Sequence, residues 1–109
     1  MKRTYRGRET YLGEFEEVVL LAIERLGREA YGMSVRREIE ARTGRDVSIG
    51  AVYATIERLT DKALLRSIAR ERSPDRDGRA RFFFEMTDAG AAALRDAERM
   101  RRQLRLAPN

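Results

Sequence analysis

The chain of 109 residues has no cysteine, no histidine and no tryptophan. The first two absences remove thiol nucleophiles, disulfides, imidazole bases and the usual zinc and haem ligands together. Catalysis would fall to Ser, Thr, Tyr, Lys and carboxylates. Two carboxylate pairs occur, Glu16-Glu17 and Asp75/Asp77, and each is better explained as a helix surface or a turn. No phosphate-loop or dinucleotide fingerprint is present. The expectation is a protein that is not an enzyme, with no catalytic residue, no metal and no cofactor. Long apolar runs are also missing: no stretch approaches the ~18 residues of a membrane span. Met1 opens no signal-peptide pattern. A cytoplasmic protein without membrane contact is expected.

Lysine is nearly absent. Of 23 basic residues only Lys2 and Lys62 are lysines, so the positive charge is almost all guanidinium. Arginine suits bidentate phosphate and guanine contacts better than lysine does. A genome-wide preference for arginine codons would give the same choice of cation, and both explanations stay open. Codon preference does not account for the net charge of +5 or the isoelectric point near 10.2. That excess suggests a polyanionic partner. Apolar residues make up 42%, too many and too clustered for a disordered chain. A single domain of this size buries a modest core, so oligomerisation would add useful stability.

The periodicity orders the chain. Residues 1–11 are polar and basic, through Lys2, Arg3, Arg6 and Arg8, and read as an arm. Leu12, Phe15, Val19, Ala22 and Leu26 then fall at steps of three and four, the face of a helix that Gly27 ends. Val18, Leu20, Leu21 and Ile23 widen this face, so Phe15 and Val19 are candidates for burial against a second subunit. Ser34, or the residues just before it, opens a short helix with Val35 and Ile39 inward, and Gly44 suits its left-handed end. Ser48 is a good cap for a third helix, whose core stripe is Ile49, Val52, Ile56, Leu59 and Ala63. Leu65 to Arg72 reads as a strand with poor alternation. The segment 73–78 is dense in turn formers, and Ala80, Phe82, Phe84 and Met86 alternate as the inward face of a second strand. Thr87 caps the last helix, in which Ala93, Ala97, Met100 and Leu104 form a coiled-coil-like seam. Little of its own domain is left for that seam to pack on, so a dimer interface is expected there.

Three helices followed by a basic hairpin describe a mainly α protein with a small β-hairpin wing. That is a winged helix-turn-helix over 12–86, with a dimerisation helix over 87–109. At about 100° per residue, the side of the third helix opposite its core stripe carries Gly50, Ala51, Ala54, Glu57, Arg58 and Asp61, flanked by Tyr53 and Thr55. Ordinary solvated faces carry Glu, Lys, Arg and Gln. Small residues instead allow a helix to lie deep between phosphates. Arg66, Arg70, Arg72, Arg76, Arg79 and Arg81 crowd into the wing. They suit phosphate or narrow-groove contacts, and also keep an edge hairpin soluble. Phe82, Phe83 and Phe84 are better explained by core packing than by base stacking.

The sequence resembles the PadR-type transcriptional regulators. The residues that carry the resemblance are Leu12-Gly13-Glu14-Phe15-Glu16, Ala30-Tyr31-Gly32, Ser48-Ile49-Gly50-Ala51-Val52-Tyr53, Leu59 with Leu64, and Phe83-Phe84-Glu85-Met86-Thr87-Asp88-Ala89-Gly90. The resemblance implies a homodimeric repressor of the shorter branch, which binds a two-fold-symmetric operator in double-stranded DNA and dimerises through one C-terminal helix. It places the reading residues on Ser48, Gly50, Ala51 and Tyr53, with wing contacts from Arg79 and Arg81. There are departures. Ala63 stands where the family usually has glycine after the reading helix, and Phe82 where a basic residue is common. With no tryptophan, the chain lacks the means by which some relatives stack flat drugs, and whether a small-molecule effector acts is open. The alternative from another class is a winged-helix interaction module that binds an acidic protein.

Overall fold

The computed structural model describes residues 11–72 and 80–108. Helix α1 (Glu14–Leu26) is followed by one 3-10 turn (Gly27–Glu29), α2 (Gly32–Thr43) and α3 (Ile49–Asp61). Strands β1 (Leu65–Arg72) and β2 (Ala80–Met86) form an antiparallel pair, and α4 (Asp88–Leu106) completes the order. The expected elements are all present in the expected sequence. Among the described residues no helix is long and apolar enough to cross a membrane.

One core joins the elements. Val19, Leu20 and Ile23 of α1 meet Val35 and Ile39 of α2, Val52, Ile56 and Leu59 of α3, and Leu64 and Leu65 at the start of the hairpin. Burying a side chain of this size contributes about 1.5–3 kcal/mol relative to leaving it in water. Val19 therefore has another role than the one expected. It is 0% exposed inside its own chain and has no surface to offer a second subunit. Phe15, also expected at an interface, is half-buried against the same core, with the Arg45 guanidinium 5.1 Å from its ring centre.

Each junction is held by identifiable atoms. Gly44 ends α2 with φ 72°, and its N–H donates to the Glu40 carbonyl at 2.9 Å. The turn into α3 is then pinned by α2 itself: Arg36 Nε donates to the Val47 carbonyl at 2.9 Å, and Val47 is buried. At the other end of α3, Leu64 N–H donates to the Leu59 carbonyl and Ala63 N–H to that of Thr60, both at 2.9 Å. These are the two bonds of a Schellman ending, with Ala63 in the left-handed position at φ 63°. Ala63 is thus exposed beyond the helix, not part of its core stripe. The alanine thus takes the left-handed conformation that glycine would adopt at lower cost.

The hairpin register runs Leu65↔Met86 to Ala69↔Phe82, with an irregularity between Ala69 and Glu71. Its base is tied to the helices by a bond from Phe84 N–H to the Ala30 carbonyl at 2.9 Å. The expected inward face is only partly right. Phe84 and Met86 pack on the core, but Phe82 is 54% exposed, while Phe83, expected outward, is buried with Tyr31 edge-on at 5.3 Å. The hairpin is covered on both faces near its base, and Phe82 lies farther out along the strand.

The wing and α4 are joined at one point. Thr87 caps α4 by accepting from Gly90 N–H at 3.1 Å, and its Oγ1 donates to the Ala63 carbonyl at 2.8 Å. A Cβ on Gly90 would overlap the Leu64 carbonyl oxygen and stand 2.7 Å from Met86 Cγ. The Thr-x-x-Gly segment therefore serves to seat a helix directly on the backbone that leaves α3. Ala93 and Leu94 are buried there, so Ala93 also belongs to the chain's own core and leaves the expected seam. Beyond them Ala97 is half-buried, and Met100 and Leu104 are 52% and 74% exposed.

Candidate nucleic-acid interface

Helix α3 carries the expected reading residues. Ser48 is its N-cap and accepts from Ala51 N–H at 3.0 Å. Val52, Ile56 and Leu59 are buried, and Ile49 packs on the core beside them. Gly50, Ala51, Tyr53, Ala54, Glu57, Arg58 and Asp61 are all exposed. A Cβ on Gly50 would meet nothing within 4 Å. The first two turns of the helix thus present an uncharged surface, low at Gly50, Ala51 and Ala54 with Tyr53 standing beside them, and charge appears only in the last two. Thr55 departs from expectation: it is buried, and its Oγ1 accepts from Arg58 Nη2 at 3.1 Å. The inward stripe is one residue wider than the strongest apolar repeat indicates.

Glu16 is the residue that pattern reading missed. Expected on a helix surface, it is buried beneath α3. It takes the Gly13 N–H at 2.8 Å and Lys62 Nζ at 2.9 Å through each carboxylate oxygen, with Arg58 Nε 3.7 Å away. Burial pushes the Glu16 carboxyl up, but the Gly13 N–H, the Lys62 ammonium and Arg58 together hold it below its ordinary value. One α1 carboxylate therefore anchors the C-terminal end of α3 and partly engages Arg58. The adjacent Glu17 pairs with Arg101 of α4. The spacing from Glu16 to Lys62 carries no local signal; only the capping position of Glu16 after Gly13 points to a role for it.

The base of the wing carries one arginine, and it is not free: Arg66 pairs with Glu85, its partner across the strands. Arg76 and Arg79 lie outside the described residues. Arg81 is placed in β2, with its backbone opposite Glu71 in the strand register.

Three packed helices, a pinned turn between the second and third, and a two-stranded hairpin after them define a winged helix-turn-helix protein. Solved structures agree. A winged-helix DNA-binding protein from STIV is 21% identical, with a TM-score of 0.68, over 91% of this chain and 99% of that one. A PadR family transcriptional regulator from Eggerthella lenta is 26% identical, with a TM-score of 0.64, over 84% of this chain and 79% of that one. A PadR-like transcriptional regulator from Bacillus cereus is 20% identical, with a TM-score of 0.62, over 86% and 93% respectively. No curated protein matches the sequence. The family described as "Transcriptional regulator PadR-like family" matches residues 19–96, and the chain belongs to it. It is a transcriptional regulator with a winged-helix DNA-binding fold, and not an enzyme.

Proposed function

We propose that the protein is a homodimeric repressor that acts in the cytoplasm on a two-fold-symmetric operator. The single observation that carries this reading is the exposed face of α3. Gly50, Ala51 and Ala54 stand outward where a solvated helix would carry long charged side chains. Ser48, Tyr53 and Arg58 border that face and would supply polar contacts to bases and phosphates. Arg76, Arg79 and Arg81 would lie along the backbone or minor groove. Residues 12–86 form the DNA-binding unit, and the basic arm of 1–11 adds non-specific attraction.

Assembly rests on α4. Met100 and Leu104 are large apolar side chains in solvent, with Ala97 one turn before them and Leu21 of α1 also exposed. Paired about a two-fold axis, two such chains would set their reading helices about one DNA turn, ~34 Å, apart. A single half-site would bind weakly, and the second raises affinity through effective concentration.

Footprinting of the purified protein on genomic DNA, followed by a salt titration on the best site, tests the reading. A palindromic site and a steep fall of affinity with salt are expected. Binding without either preference would favour an acidic protein partner instead.

A further inference from the structure

Tyr53 stands on the exposed side of α3, and 47% of its surface remains in solvent. One of its neighbours is in α2. The end of the phenol ring lies over Gly32, the first residue of that helix. A Cβ built on Gly32 would come 2.6 Å from Tyr53 Cε1, and closer still to Cζ and Oη. Gly32 is buried, and its backbone is not among those with positive φ. Glycine is a poorer helix former than alanine. What it supplies here is therefore space, not conformational freedom.

We infer that Gly32 is a positioning residue for DNA reading: its missing side chain is the seat that holds the Tyr53 ring as α3 presents it to the groove. The inference rests on the proposed role of the α3 face, and it gives the Ala30-Tyr31-Gly32 segment a function. A ring already seated loses less rotamer freedom on binding than a free one. The seat also links the two helices of the motif, so the posture of a reading side chain depends on how α2 and α3 pack. The clashing atoms are the far end of a side chain. An added methyl would therefore displace the ring and leave the helix pair standing.

Four chains test this: wild type, Gly32→Ala, Tyr53→Ala and the double variant. Each is titrated onto a genomic duplex selected by footprinting and onto a random duplex of the same length, and each is melted without DNA. Tyr53→Ala should lower affinity for the selected duplex by about tenfold. Gly32→Ala should reproduce most of that loss, and the double variant should bind no worse than Tyr53→Ala alone. Random-duplex affinity should fall by less than about twofold in every case, since phosphate contacts are retained. In the melts, Gly32→Ala should lower the melting temperature when Tyr53 is present and not lower it when residue 53 is alanine. Should Gly32→Ala unfold the wild-type background, recovery of the fold in the double variant supports the seat, and failure to recover overturns it. Wild-type affinity in Gly32→Ala beside weakened Tyr53→Ala overturns the positioning role and leaves the reading face intact. Wild-type affinity in Tyr53→Ala removes Tyr53 from the reading face, and the inference falls with it.

Discussion

Helices α3 and α4 begin alike and are used differently. Each is capped by a hydroxyl, Ser48 or Thr87, that accepts the N–H three residues on. Each has an apolar stripe. In α3 the stripe is buried along the helix, from Val52 to Leu59, and what faces solvent in the first turns is uncharged and, apart from Tyr53, small. In α4 only the first two turns reach the core, through Gly90, Ala93 and Leu94, while Met100, Leu104 and Leu106 remain in water. The α4 arginines are partly answered within the helix, Arg99 by Asp96 and Arg102 by Glu98. Such exposed pairs contribute about 0–1 kcal/mol and do not explain the helix. The comparison teaches that the surface left over, more than the core stripe, separates the roles. A small polar-edged surface fits a groove, and a large apolar one fits another apolar surface.

The strongest way to break the comparison is to unseat α4 from α3. Gly90→Ala drives a methyl into the Leu64 backbone, which has no flexible end to give way. It should cost about 3 kcal/mol or more in chemical denaturation. Next is the anchor under α3. Glu16→Gln removes the carboxylate that holds Lys62 and should cost about 2 kcal/mol at neutral pH. Because the Glu16 carboxyl is held below its ordinary 4.5, its contribution is complete above that value and is lost as pH falls through the lowered one. Melts across the acid range should show wild type and variant converging at low pH. A gap that persists there would mean that charge is not what the residue supplies.

A gain is expected at the junction. Ala63 holds φ 63°, a conformation that costs an L-residue about 1–2 kcal/mol. Ala63→Gly should stabilise the chain by about 1 kcal/mol after the entropy of the unfolded glycine is counted. The smallest effect on the fold of a single chain falls on the exposed half of α4. Met100→Asp with Leu104→Asp should change the stability of that fold by less than about 0.5 kcal/mol. The same variant should sediment as a monomer at concentrations where wild type is dimeric. A double variant that stays dimeric would place the interface elsewhere.

The fold was largely legible because its signals are local. Steps of three and four mark α1 and α3, Gly27 and Gly44 mark helix ends, and Ser48 and Thr87 mark starts. Both strand ranges follow from the turn formers between them. The α3 face was legible because the apolar stripe defines its opposite. What stayed hidden depends on distant partners. Glu16 reads as a surface acid until Lys62 is brought to it. Val19 and Ala93 read as surplus apolar surface until the small core is seen to need them. Phe83 reads as outward because alternation assumes one buried face, whereas the base of the hairpin has two. Gly32 stands in the sequence only as part of the Ala30-Tyr31-Gly32 segment, and only the approach of Tyr53 shows what its lack of a side chain provides.

The central claim is that the exposed face of α3 reads DNA, and Ala51→Glu tests it most directly. The substitution puts a bulky anion on that face and leaves Val52, Ile56 and Leu59 untouched. Affinity for the footprinted site should fall at least about a hundredfold, while stability moves by less than about 0.5 kcal/mol. Wild-type affinity in a folded Ala51→Glu chain, or loss of the fold together with binding, would contradict the account.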